Sequence, residues 1–172
     1  MKRMLGVCVA LLVLCFASPA VMAESNSTTI EIASIGVSAE IVPVYIQATS
    51  SRNATWDVSG LRMNAGLLTG LGEFGEQGNT VVGAHSEAIG GTADLFYNLD
   101  TVQIGSQIVI NVNGQLLTYE VQDVYSVAAT DLTPVYPTQD ERLTLITCDR
   151  GSYSSESGRY SQRVIVVAHR VS

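Results

Sequence analysis

The sequence predicts an all-β domain closed into a barrel, on three observations. β-branched residues recur with a period of two along most of the chain beyond residue 29. The apolar runs are short and separated by Gly, Asn and Asp, the residues of tight turns. No amphipathic stretch is long enough to supply the crossover helices that parallel strands ordinarily need, so a closed barrel is expected rather than an α/β sheet.

Taken in order, the chain opens with Lys2 and Arg3 and an uncharged stretch over residues 4–23, interrupted by Ser18-Pro19 and ending in small residues. This is the pattern of an export signal, with Val21 and Ala23 at the recognition positions for cleavage after Ala23. Its twenty uncharged residues are equally long enough to stay as a membrane anchor. Cys8 and Cys15 sit inside that segment without the small residue that lipid attachment requires, and read as apolar filler. Residues 24–29 are polar and read as a short linker, which leaves residues 30–172 as one domain, large enough for its own core.

Within that domain, strands are expected at residues 30–35, 40–44, 80–84, 108–112, 117–121, 124–128, 143–147 and 163–171. The clearest is a hairpin, in which Ile108, Ile110 and Val112 alternate up to Asn113-Gly114 and Leu117, Tyr119 and Val121 alternate away from it. Residues 92–99 place Leu95, Phe96 and Leu99 at helical spacing and predict a short helical turn.

From Glu24 onward there are 7 Arg, no Lys and 16 acids, a net charge of −9. Such a surface argues against nucleic acid as a partner. The lack of lysine also means that this domain cannot itself offer a lysine amine to a crosslink.

Cys148 is the one cysteine beyond the leader, and it ends the run Leu143-Thr144-Leu145-Ile146-Thr147-Cys148. An unpaired thiol in an oxidising compartment points to a cysteine nucleophile. Such a nucleophile needs a proton partner, most often histidine, and the chain has only His85 and His169. It also needs a fixed cation for the oxyanion that forms at an attacked carbonyl. Arg163 begins the last strand, and the short connection from Cys148 is expected to join adjacent antiparallel strands, which sets Arg163 beside Cys148. His169 lies six residues further on, about 20 Å along an extended strand, so it is a poor partner if Arg163 is a good one, and His85, at a strand-to-loop boundary, is the better candidate. Arg150 and Arg159 are rival cations that read as solvated loop charges. One Cys and two His without clustering fall short of a metal-ligand motif, so no metal or other cofactor is expected.

These residues resemble those of the sortases, cysteine transpeptidases of bacterial surfaces. Thr144-Leu145-Ile146-Thr147-Cys148 matches the family's Thr-Leu-x-Thr-Cys signature, Gly78-Asn79-Thr80-Val81-Val82-Gly83-Ala84-His85 resembles its histidine segment, and Arg163-Val164-Ile165-Val166-Val167-Ala168 its arginine strand. The similarity runs in order from about residue 30 to 171. It implies an eight-stranded sortase-type barrel with Cys148 as nucleophile, His85 as general acid/base and Arg163 as the substrate-positioning, oxyanion-stabilising group. It also implies that Thr147 and Ala84 border the substrate groove. The implied substrates are exported proteins with a C-terminal sorting peptide, and the implied acceptor is an amine of a peptidoglycan stem or a pilin lysine. The action would lie outside the cytoplasm, at the membrane if the leader is kept. Many members carry Gly where this chain has Ala84, and the short connection after Cys148 resembles the small single-domain types of class D to F character. Two other readings compete: an L,D-transpeptidase, whose Ser-x-Gly pattern before the cysteine is absent here, and a peptide-binding β-domain without catalysis.

Overall fold

A computed structural model of the chain describes residues 27–48 and 54–172. The leader at residues 1–23 and residues 24–26 of the linker lie outside the described residues. The first strand, β1, spans Thr28–Ile32 and so begins within the stretch read as linker; it ends in a 3₁₀ turn, Ala33–Ile35, where a continuous strand was expected. That turn closes on Gly36 at φ 69°, a left-handed geometry that glycine adopts without a Cβ penalty.

The remaining strands are β2 (Val37–Val44), β3 (Ile46–Ala48), β4 (Ala54–Trp56), β5 (Ala65–Leu68), β6 (Gly78–Gly83), β7 (Gln107–Val112), β8 (Gln115–Ala128), β9 (Glu141–Cys148), β10 (Tyr153–Ser154), β11 (Arg159–Tyr160) and β12 (Gln162–Arg170). Eight of them close a barrel in the order β1-β2-β5-β6-β9-β12-β8-β7, while β3-β4 and β10-β11 form small separate hairpins. The β7–β8 hairpin turns at Asn113-Gly114, both at positive φ, as the turn residues foretell. Residues 117–121 and 124–128 are one long strand, β8, rather than two.

Two pairings depart from the antiparallel expectation: β2 runs parallel to β5, and β6 runs parallel to β9. Among the described residues, no α-helix makes either crossover. The chain between β2 and β5 travels through the β3–β4 hairpin, and the chain between β6 and β9 through the β7–β8 hairpin, so other parts of the sheet do the work that a helix does in a βαβ unit. The predicted helical turn at residues 92–99 is also displaced: regular 3₁₀ geometry covers Leu99–Thr101, and the preceding residues form turns. Its apolar face was correctly read, since Leu95, Phe96 and Leu99 are all buried.

Alternation decides which side chains fill the barrel. Leu143 and Leu145 of β9, Val164, Val166 and Ala168 of β12, and Val82 and Ala84 at the end of β6 join Ile30, Ile108, Ile110 and Phe96 in one core cluster. The intervening residues of those strands therefore face outward, and on β9 these are Arg142, Thr144, Ile146 and Cys148.

Part of that outer face is covered. The amide of Asn79 donates to the carbonyls of Pro134 (2.8 Å) and Tyr136 (3.0 Å), and its oxygen accepts from the Thr144 hydroxyl (2.7 Å). Arg142 donates to the Thr144 hydroxyl (3.0 Å) and to the Pro134 carbonyl (3.3 Å). Asn79 and Thr144 are buried, at 2% and 0% exposure, and every polar atom named here has a partner. The network clamps residues 133–136 against the barrel wall. Asn79→Ala removes a buried group that three others depend on and is expected to lower unfolding free energy by about 2–3 kcal/mol in urea titration. A loss below about 0.5 kcal/mol would show that the clamp is not a structural support.

Candidate active site

The parallel β6–β9 pair and the antiparallel β9–β12 pair make these three strands neighbours and bring their relevant ends to one rim. Parallel pairing aligns the C-terminal end of β6 with that of β9, with Gly83 opposite Ile146, and the chain continues by a bond from the Ala84 amide to the Ile146 carbonyl (3.2 Å). Antiparallel pairing sets the start of β12 at the same place, with Arg163 directly opposite Cys148. His85, Cys148 and Arg163 each have the parity opposite to the core residues of their own strand. All three line one cavity of about 210 Å³, walled also by Val58, Leu68 and Ile146. The remaining candidates fall elsewhere. His169 stands opposite Arg142 at the other end of β9, with Nδ1 2.9 Å from Asp140. Arg150 is paired with Asp100 at 3.4 Å and stacked 3.9 Å over the Tyr97 ring, and Arg159 is exposed on β11.

Each site residue is held by its backbone surroundings. The Thr147 hydroxyl is buried and donates to the Ala84 carbonyl at 2.8 Å, fastening the end of β6 to the end of β9 one residue from both His85 and Cys148. Thr147 and Ala84 do border the cavity, but the threonine hydroxyl is already committed to this bond. The His85 carbonyl accepts from the amide of buried Phe96 (3.0 Å), which anchors the histidine from below. Its ring Nε2 lies 2.9 Å from the Val58 carbonyl. A carbonyl can only accept, so Nε2 carries the hydrogen and Nδ1 is left as the position for proton exchange. Arg163 donates from Nη1 to the carbonyls of Gln162 (3.0 Å) and Tyr160 (3.2 Å), which ties the guanidinium to the chain entering β12.

Electrostatics at the sulfur run in opposing directions. Burial pushes the Cys148 thiol above its ordinary range, the Arg163 guanidinium pulls it down, and the Glu87 carboxylate pushes it up again. The net direction favours the thiol over the thiolate, with the Arg163 guanidinium the one contribution that opposes it.

Glu87 and Tyr160 are site residues that the sequence reading did not find. The Tyr160 hydroxyl donates to Glu87 Oε2 at 2.6 Å, and this bond, reinforced by burial, pushes the phenol up to about 12. The bond joins the segment after His85 to β11, in the loop between Cys148 and Arg163. No periodicity marks either residue, and only the position of Glu87 two residues after His85 could have drawn notice. The Val58 carbonyl is backbone, and no side-chain pattern reports it.

A second cavity of about 250 Å³ shares Val58, Leu68, Ile146 and Arg163 with the first and continues over Trp56, Leu132, Pro134, Val135 and Ile165. Together the two make an elongated, mostly apolar depression, floored by β9 and β12 and walled by the clamped residues 133–136.

This combination of barrel and site has known counterparts. The Sortase domain family matches residues 30–171. Sortase A from Corynebacterium diphtheriae, in a lid-mutant form, superposes with a TM-score of 0.67 at 29% identity, over 90% of this chain and 74% of that one. Sortase C-1 from Actinomyces oris gives 0.65 at 28% identity, over 84% and 73% of the respective chains. A Clostridium perfringens sortase D5 transpeptidase gives 0.64 at 21% identity, over 86% and 80%, a likeness of fold. No curated protein sequence matches the chain. The chain belongs to the sortase family, whose members are cysteine transpeptidases acting at the cell surface.

The electrostatic balance at the thiol can be read by alkylation. At neutral pH, well below the thiol's raised range, the iodoacetamide rate of Cys148 follows the thiolate fraction. Glu87→Gln removes a contribution that holds the proton on, so alkylation is expected to quicken by about threefold, whereas Arg163→Ala should slow it by a similar factor. Equal rates in all three proteins would refute this account of the field at Cys148.

Proposed function

We propose that the domain cleaves a sorting peptide near the C-terminus of exported proteins and transfers the resulting acyl group to an amine at the cell surface, through a thioester on Cys148. The observation that carries this reading is the convergence of Cys148, His85 and Arg163 on one outward-facing cavity at the ends of three adjacent strands. The apolar depression running on from that cavity is suited to an extended peptide, with Thr147 and Ala84 at its border.

In this reading the Cys148 sulfur, its proton passed to His85, attacks the scissile carbonyl carbon. A carbon–sulfur bond forms, and Arg163 stabilises the negative charge gathering on the oxygen. The carbon–nitrogen bond then breaks, and protonated His85 returns the proton to the departing amine. An incoming amine reverses the sequence: its nitrogen attacks the thioester, the carbon–sulfur bond breaks, and the surplus proton leaves by His85 to restore the thiol. Water in place of the amine gives hydrolysis. Peptidoglycan stems and pilin lysines are the acceptors that the family reading suggests, and residues 1–23 would export the domain or hold it at the membrane.

A peptide-library cleavage assay followed by mass spectrometry, with and without added amine, tests the reading. Cleavage with a trapped acyl-enzyme on Cys148 is expected, together with loss to below about one-thousandth of wild-type turnover in Cys148→Ala, His85→Ala and Arg163→Ala while circular dichroism reports an intact barrel. Turnover retained in the folded Cys148→Ala protein would refute the assignment.

A further inference from the structure

We propose that a third cavity, on the far side of His85 from the groove just described, is the subsite for the acceptor, and that Glu87 recognises there the ammonium of a primary amine carried on an aliphatic stem. The inference rests on the transpeptidase reading and adds to it where the second substrate enters and what chemistry admits it. This cavity measures about 730 Å³, more than three times the volume of the one that holds Cys148 at about 210 Å³. It shares only His85 with the cavity that holds Cys148, so a molecule in it can reach the imidazole while an acyl group occupies the other side.

Its two walls are built differently. One is a compact loop following His85, pinned by the amide of Ala88 on the Thr92 carbonyl (2.8 Å), the amide of Asp94 on the Ser86 carbonyl (3.0 Å) and a bridge between Glu87 and Ala93. The other carries Ser59, Arg62 and Met63. The lip is apolar, because Met63 and Ile89 are exposed at 61% and 105%, an arrangement that stabilises little in the free protein but suits the methylenes of a long aliphatic amine.

Of the two carboxylates on the wall, Asp94 is 8% exposed and already accepts from the Leu95 amide at 2.7 Å. Glu87 is half-buried and receives one hydrogen bond, from the Tyr160 hydroxyl, so its carboxylate keeps free acceptor positions. Tyr160 fixes it close enough to the sulfur for its charge to be felt there. An ammonium bound by Glu87 lies beside His85, which takes one proton from it and passes that proton to water; the freed nitrogen then attacks the thioester carbon, the carbon–sulfur bond breaks, and the second proton, lost as the amide forms, passes through His85 to the thiolate.

Amide and hydrolysis products descend from the same thioester, so their ratio reports on the acceptor and not on how fast the thioester forms. The full chain, with a peptide that it cleaves, is assayed with Nα-acetyllysine amide or with hydroxylamine, which is uncharged at neutral pH. Glu87→Gln keeps an acceptor for the Tyr160 hydroxyl and removes only the charge. It is expected to lower the aminolysis-to-hydrolysis ratio for the lysine amine by about tenfold and to leave that for hydroxylamine within about twofold. Met63→Ser, on the opposite wall, should lower the lysine-amine ratio as well. An unchanged lysine-amine ratio in Glu87→Gln, or an equal fall for both nucleophiles, would overturn the inference and leave the cleavage reading standing. Absence of any thioester in the wild-type protein would overturn both.

Discussion

The parallel pairing of β6 with β9 is the constraint on which the site depends. Two parallel strands end at the same rim, and that geometry brings His85, two residues beyond β6, and Cys148, the last residue of β9, to one cavity. Had β6 been antiparallel to β9, as hairpin logic would have it, His85 would have stood near Arg142, roughly 20 Å from the sulfur at ~3.3 Å per residue. The β9–β12 pair completes the arrangement by the opposite rule, since an antiparallel neighbour presents its first residues where β9 presents its last. The bond from Thr147 to the Ala84 carbonyl locks the parallel ends together at the point of use. This gives a physical reason for a hydroxyl in the penultimate position of the strand: a valine there would fill similar space and leave a buried carbonyl without that donor.

Around this frame the protein balances the charge state of one sulfur. Burial holds the proton on, and the guanidinium across the strand pair draws it off. The Glu87 carboxylate weighs on the side of the thiol, an arrangement that would be counterproductive if activating the sulfur were its purpose. Its attachment to Tyr160 instead makes it a brace between the segment bearing His85 and the loop between Cys148 and Arg163. The same carboxylate faces the large cavity beyond the histidine, where a negative charge has a use in the second half of the reaction.

The groove depends on a different device. Its wall at residues 133–136 is a single 3₁₀ turn, Thr133–Val135, and the residue after it, with little apolar anchorage of its own beyond Pro134, and it is held by a buried polar network reaching up from Asn79, Thr144 and Arg142. Polar clamps of this kind are directional, so they fix a loop in one position where apolar contact alone would allow sliding. Thr144 belongs to the cysteine signature, and its hydroxyl serves the groove wall while that of Thr147, three residues on, serves the strand ends.

Much of this was legible in the residues themselves. Period-two alternation determined most of the barrel strands and which side chains face the core, though it passed over β5, whose Ala65-Gly66-Leu67-Leu68 has no β-branched residue; Asn113-Gly114 determined the hairpin, and the solitary Cys148 with a short return to Arg163 determined their juxtaposition, because antiparallel neighbours joined by a brief loop admit little else. What only the tertiary structure decided were the relations that local pattern does not encode. The crossover from β6 to β9 runs through 57 residues and a hairpin instead of a helix, so its parallel direction left no mark on periodicity. The pairing of Glu87 with Tyr160, the Val58 carbonyl that sets the His85 tautomer, and the two cavities on either side of that ring come from chain segments distant in sequence. Sequence patterns report the face a side chain takes on its own strand, whereas a site assembled across strands depends on their order in the sheet, which the closure of the barrel fixes.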